Sequence, residues 1–272
     1  LTVTPTFANT GKTCTGATKN FVITINPTAQ VNQPNSQVRC NGEAITPIGF
    51  STQNTVGTTT YSWTNDTPGI GLNASGTGDI TAFNPVNLGT TPITATIVVT
   101  PSYTNGGVVC TGPTKTFTIT VNPVANVSQP TSLILCNGVQ TNVNFTTANS
   151  GGVTSYSWTN DTSSIGLNAT GFGSIPNFTV VNNGNTQVVA NFVVTPIFSN
   201  AGKSCSGTTK IFTITVNPTA QVVQPASEVI CNGGSTTTVN FATTYTSGVT
   251  TFAWTNSNTS IGLSASGTGS IP

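Results

Sequence analysis

The chain contains no histidine and no methionine, and only 4% of its 272 residues carry a charge. A typical soluble domain carries about 25%. Without histidine, the commonest general base, the usual nucleophilic triads and most zinc sites are excluded. Six basic and five acidic residues give a net charge of +1, so no basic footprint exists for nucleic acid or an anionic membrane. No apolar run reaches 18 residues, which excludes a membrane-inserted helix. No export leader is visible, and the missing methionine points to processing after export or to a segment of a longer polypeptide.

The remaining candidates for chemistry thin out on inspection. Asp66 and Asp79 offer a carboxylate pair of the kind glycoside hydrolysis requires. The corresponding positions further along are Asp161 with Ser174, then Ser257 with Ser270, so the pair dissolves from copy to copy. No Asp-x-Asp-x-Asp cluster is present to hold calcium. The stretch "ASGTGDI" (74–80) lacks the Lys-Ser/Thr and the helix of a phosphate loop and reads as a turn. The reading is a non-enzyme with no cofactor and no metal.

What is present is repetition. Trp63, Trp158 and Trp254 recur at steps of 95 and 96 residues. Two cysteine series, Cys14/Cys110/Cys205 and Cys40/Cys136/Cys231, keep the same step, as do the Asn-Pro pairs at Asn26, Asn122 and Asn217. A period near 95 is too long for a solenoid coil and suits a string of small domains. With Asn-Pro as the joint, residues 27–122 and 123–217 are complete repeats. Residues 1–26 correspond to the last two strands, F and G, of a repeat, and 218–272 to the N-terminal part of another.

Within a repeat the apolar period is two. "ITATIVVTP" sets Ile93, Ala95, Ile97 and Val99 on one face, "VVANFVVTP" does so with Val188, Ala190, Phe192 and Val194, and "KTFTITV" with Phe117, Ile119 and Val121. Threonine on the other face gives β-propensity without charge. No stretch carries a helical period. The expected strands are A from Ala29, broken at Pro34, and B around Ile48–Ser51. C follows with Tyr61 and Trp63, then D/E over 72–83, F over 91–103 and G over 114–121. About seven short strands with one tryptophan on the third predict an all-β, tandem immunoglobulin-like β-sandwich. Trp63, Trp158 and Trp254 are then core, and Pro34, Pro130 and Pro225 protect an edge.

Two residue types remain. Lys19, Lys115 and Lys210 share the inward register of G, which reads either as snorkelling at the rim or as one half of a Lys–Asn isopeptide bond. The six cysteines contain no Cys-x-x-Cys pair, which argues against zinc. Together with the low charge they predict an extracellular, oxidising location. The eight Asn-x-Ser/Thr sequons, Asn65, Asn160 and Asn168 among them, are attributed to chance in so Asn- and Thr-rich a chain. Sandwich topology sets Cys40 at one end of its repeat and Cys110 at the other, too far apart to bond. Cys40 is therefore expected to pair across the joint with Cys205. Cys14, Cys110, Cys136 and Cys231 then have their partners outside this chain.

The combination "YSWTND…IGLNASGTG…TATIVVTP…CTGPTKTFTITVNP" resembles the PKD-like, immunoglobulin-like repeats of giant cell-surface adhesins of Bacteroidota, including gliding-motility adhesins of the SprB type exported by type 9 secretion. "TND" departs from the Asp-Phe-Gly-Asp-Gly turn of PKD domains, so no sugar or calcium site carries over. The resemblance implies an extracellular structural stalk at the cell surface that presents a tip. The two-residue joint Asn122-Pro123 with its cross-joint disulfide predicts a stiff, load-bearing one, with neighbouring repeats of the same longer chain and other stalks of a filament as partners. A glycan-binding module using loops such as "TNDTPGIGLNASG", and a pilus-like subunit polymerising by strand donation, are the alternatives.

Overall fold

The computed structural model describes residues 1–272 and contains only β-strands and three short 3-10 turns. It divides into two compact units, Leu1–Asn122 and Pro123–Pro272. Each holds one complete repeat with one partial repeat beside it.

The first unit opens with β1 (Thr2–Val3), β2 (Thr6–Asn9), β3 (Lys12–Thr15) and β4 (Lys19–Asn20), where β1 pairs β4 and β2 pairs β3. The complete repeat then adds β5 (Gln37–Cys40), β6 (Thr58–Asn65), β7 (Ser75–Thr77), β8 (Ile93–Asn105), β9 (Val108–Thr111) and β10 (Lys115–Asn122). They form one sheet in the order β5-β10-β8-β6-β7, with β9 folded back on the far end of β8. The second layer consists of the extended segments 28–33, 43–53 and 79–87. Its ladder runs through Asn32 N–H to the Ser51 carbonyl, Ile45 N–H to Phe83, and the reciprocal Ile48–Ile80 pair.

The period of two governs which residues lie between the layers. Ala95, Ile97, Val99, Ile119 and Val121 are fully buried, joined by Ile45, Ile48, Trp63, Ile70, Ile80 and Phe117. Each large aliphatic side chain removed from water contributes about 1.5–3 kcal/mol. The intervening threonines face outward, and Thr94 and Thr120 meet across the strands at 3.0 Å.

The second unit repeats the plan. Its strands are β11 (Leu133–Cys136), β12 (Gln140–Val143), β13 (Val153–Asn160), β14 (Thr170–Phe172), β15 (Ile175–Thr179), β16 (Val188–Asn200), β17 (Lys203–Ser206) and β18 (Lys210–Asn217). The main sheet is β11-β18-β16-β13-β14, and the second layer here contains an antiparallel strand pair, β12 with β15, whose register shifts between Thr141 and Val143. Phe192 and Phe212 stack in this core with centroids 4.9 Å apart. The final piece retains only β19 (Ala253–Thr255) and β20 (Ser266–Thr268), and there Ile261 is 69% exposed where Ile70 and Ile165 are fully buried.

The structure changes two readings of the sequence. The proline after Gln33 marks a crossover as well as an edge. The chain there leaves the second layer and crosses to the main sheet, where β5 runs parallel to β10. Gln33 bridges the crossover, its amide donating to the carbonyls of Pro34 and Thr116, and Gln129 does the same to Pro130 and Ile211. The "ASGTG" stretch is likewise a strand and not a turn, with Gly76 opposite Trp63. A Cβ at Gly76 would lie 2.2 Å from the indole, and at Gly171 and Gly267 the distances are 2.1 and 2.2 Å. The glycine is repeated because the tryptophan occupies the volume of its side chain.

Candidate functional site

The carboxylates do not converge. Asp66 follows β6 directly and clamps its end to β8, its Oδ1 accepting from Thr96 N–H at 2.7 Å and from the Thr67 hydroxyl at 2.8 Å. Those hydrogen bonds, the Thr96 amide first, hold its carboxyl below the usual carboxylate range. Asp161 repeats the clamp on Asn191 and Thr162 and is lowered in the same direction, with the Asn191 side chain the largest cause. Asp79 has a different task, accepting from Phe50 N–H where the second-layer ladder is irregular. Ser174 supplies that acceptor to Phe145 N–H in the next repeat, which explains why Asp and Ser interchange there. Both positions close backbone, and neither builds a dyad.

Two of the sequon asparagines and the tryptophan and tyrosine rings beside them are also structural, while Asn168 is exposed. Asn65 and Asn160 are buried, donating to the carbonyls of residues 72–73 and 167–168 and accepting from Thr67 and Thr162 N–H. Trp63 and Trp158 are 7% and 4% exposed, and Trp254 in the partial repeat is half-buried. Tyr61 and Tyr156 pack on Phe50 and Phe145 at 5.5 Å, whereas Phe7 and Phe172 lie exposed on their own strands. Burial raises the Tyr61 phenol above its usual pKa, with the Asp79 carboxylate adding to the shift.

One polar hub escaped the reading of the sequence. Asn87 is buried, donates to the carbonyls of Thr91 and Val121, and accepts from Gly89 N–H. Its own N–H donates to the Asn41 side chain, and Asn182 and Asn137 reproduce the arrangement. The recurrence of "N-x-G" at 87–89 and 182–184 was the available signal, hidden among many asparagines.

The lysines sit at the start of the last strand. Lys115 lies opposite Val99 and is exposed, Lys210 lies opposite Val194 and is half-buried, and Lys19 is exposed in β4. The cysteines mark the two ends of each repeat. Cys40 closes β5 opposite Asn122, while Cys110 sits in the β8–β9 hairpin opposite Tyr103. Their levels differ by about eleven residues along β8, roughly 35 Å, against about 6 Å between bonded cysteine Cα atoms. Cys136 and Cys205 occupy the same two ends of the next repeat, opposite Asn217 and Phe198. Cys14, Cys110, Cys136 and Cys231 are free thiols, and Cys40 and Cys205 are not among them.

The joint preceding the first complete repeat lies within the first unit. Asn26 of the Asn-Pro pair donates to the Asn105 carbonyl at 3.0 Å, and the Asn105 amide donates back to Asn26 Oδ1 at 3.0 Å. Reciprocal amide bonds restrict both the joint and the hairpin tip. In the second unit, Asn137 donates to the Thr219 hydroxyl at 2.9 Å, across the joint at Asn217-Pro218.

No protein-family profile matches this chain, and no curated protein matches it. Among solved structures it is similar to Drosophila N-cadherin EC1–4, at 14% identity and TM-score 0.37, covering 72% of this chain and 50% of that one. It is also similar to mouse cadherin-23 EC22–24, at 15% identity and TM-score 0.32, covering 71% and 68%. The FN1–FN3 domains of chicken CNTN1 match at 10% identity and TM-score 0.27, covering 89% and 83%. The chain spans half the length of the N-cadherin structure.

Proposed function

We propose that this chain is a run of PKD-like repeats from an extracellular adhesin or filament, and that it serves as a stiff, load-bearing stalk. The observation that supports this most directly is the design of the joint. Asn-Pro leaves little free chain, and proline restricts φ in what remains. The reciprocal Asn26–Asn105 pair then ties the linker to the hairpin of the following repeat. The polar groups nearby close backbone and do not converge on a pocket. A chain with only 4% charged residues responds weakly to salt, which suits an exposed fibre. Presentation of an adhesive tip, as in gliding-motility adhesins, is the role in which such a stalk is used.

The second component of the proposal is a disulfide between Cys40 and Cys205, tying the two complete repeats together. Each repeat bears one cysteine at each end, so partners within a repeat are out of reach. Cys40, opposite Asn122, and Cys205, two residues before the Gly207 that packs on Ala125, are the two that flank the Asn122-Pro123 joint. Bond formation removes two protons and two electrons from the paired thiols. An exchanging external disulfide takes them up and becomes two thiols. Proteolysis without reduction, followed by mass spectrometry, tests this part. The expected product is a Cys40 peptide joined to a Cys205 peptide, and a Cys40–Cys110 product would refute it.

A further inference from the structure

The two strands that reach the ends of each repeat lie side by side. In the first complete repeat, segment 28–40 and strand β10 run along one edge. Gly112 packs against the Ala29 backbone so tightly that a Cβ there would lie 1.8 Å from the Ala29 oxygen. Gln33 donates to the Thr116 carbonyl at 2.8 Å, Thr118 N–H donates to the Ser36 hydroxyl at 3.0 Å, and β5 completes the contact in parallel register. The second complete repeat reproduces every step, with Gly207 on Ala125, Gln129 on Ile211, Ser132 on Thr213, and β11 beside β18.

We propose that the Cys40–Cys205 bond routes tension through these edge strands, so that the bulk of both sandwiches carries no load. The inference rests on the disulfide proposed above. Force entering at residue 27 runs along an already extended segment to Cys40 and crosses the bond. It leaves along residues 205–217, a stretch that β17 and β18 also hold extended. Residues 41–204, about 160 in number, form a covalent loop outside this path, worth roughly 550–600 Å of extended chain. Tension enters and leaves the same strand, so β10 feels no pull against β5, and β16 feels little from β18. Repetition of the cysteine series at every step gives the same shortcut wherever a joint is bridged. Such a stalk is inextensible although its individual sandwiches are only ordinarily stable.

Single-molecule stretching of the 272-residue chain between its termini tests this, with dithiothreitol admitted while constant force is held. The expected trace stays short before reduction. Cleavage then gives a small release, followed by two separate steps of roughly 300 Å, one for each complete repeat that had stayed folded. Cys40→Ser should give those two steps with no reductant. A short trace that releases the whole 550–600 Å in a single event on cleavage would overturn the shielding while leaving the disulfide standing. Two steps before any reductant in the unsubstituted chain would show that the disulfide itself is missing, and would overturn both.

Discussion

At the residue scale, the fold depends on a few positions where only one chemistry fits. Gly171 lies across the Trp158 indole with no room for a methyl group. Gly171→Ala should therefore destabilise the second complete repeat by about 1–3 kcal/mol, the usual cost of overpacking. Urea unfolding followed by tryptophan fluorescence measures it, and near-wild-type stability would contradict the packing described. Asp66 and Asp161 make a prediction about pH. Their native carboxyls titrate below the unfolded value of about 4. The stability they contribute is thus complete above that value and is lost as pH falls through the depressed native pKa. The urea midpoint should drop between about pH 5 and pH 2, and Asp66→Asn should make the drop shallower. The sequence exposed Asp66 and Asp79 as a pair that fades from copy to copy. It concealed their separate backbone partners, because Thr96 and Phe50 belong to strands distant in the chain.

At the scale of the elements, alternation made β8, β10, β16 and β18 legible, because one face of each meets the core and the other meets water. The second layer was less legible. Segments 43–53 and 79–87 pair through isolated bridges and side-chain acceptors, so no long alternating run betrays them. The crossover at Pro34 was visible as a break, but its purpose depends on β10, some 80 residues away. Ser36 shows the consequence, since its hydroxyl takes the Thr118 N–H that the crossover leaves without a strand partner. Ser36→Ala should cost about 1 kcal/mol and speed hydrogen exchange at the Thr118 amide severalfold, with β8 amides unaffected. Unchanged exchange at Thr118 would show that the edge is held by other groups.

At the scale of the whole molecule, the cysteine and Asn-Pro series announced the period directly, and the two complete repeats share one plan down to their asparagine hubs. What spacing could not supply was the edge-long contact between segment 28–40 and β10, which gives the cysteine positions their mechanical meaning. The central claim is that the joint at Asn122-Pro123 is stiff, and a distance distribution tests it most directly. Spin labels carried on noncanonical residues at exposed Thr64 and Thr159 report on one complete repeat each and leave the cysteines untouched. Pulsed dipolar spectroscopy of the oxidised chain should give one narrow distance peak that broadens when dithiothreitol is added. A broad distribution in the oxidised chain, unchanged on reduction, would mean a freely swivelling joint and would contradict the stalk.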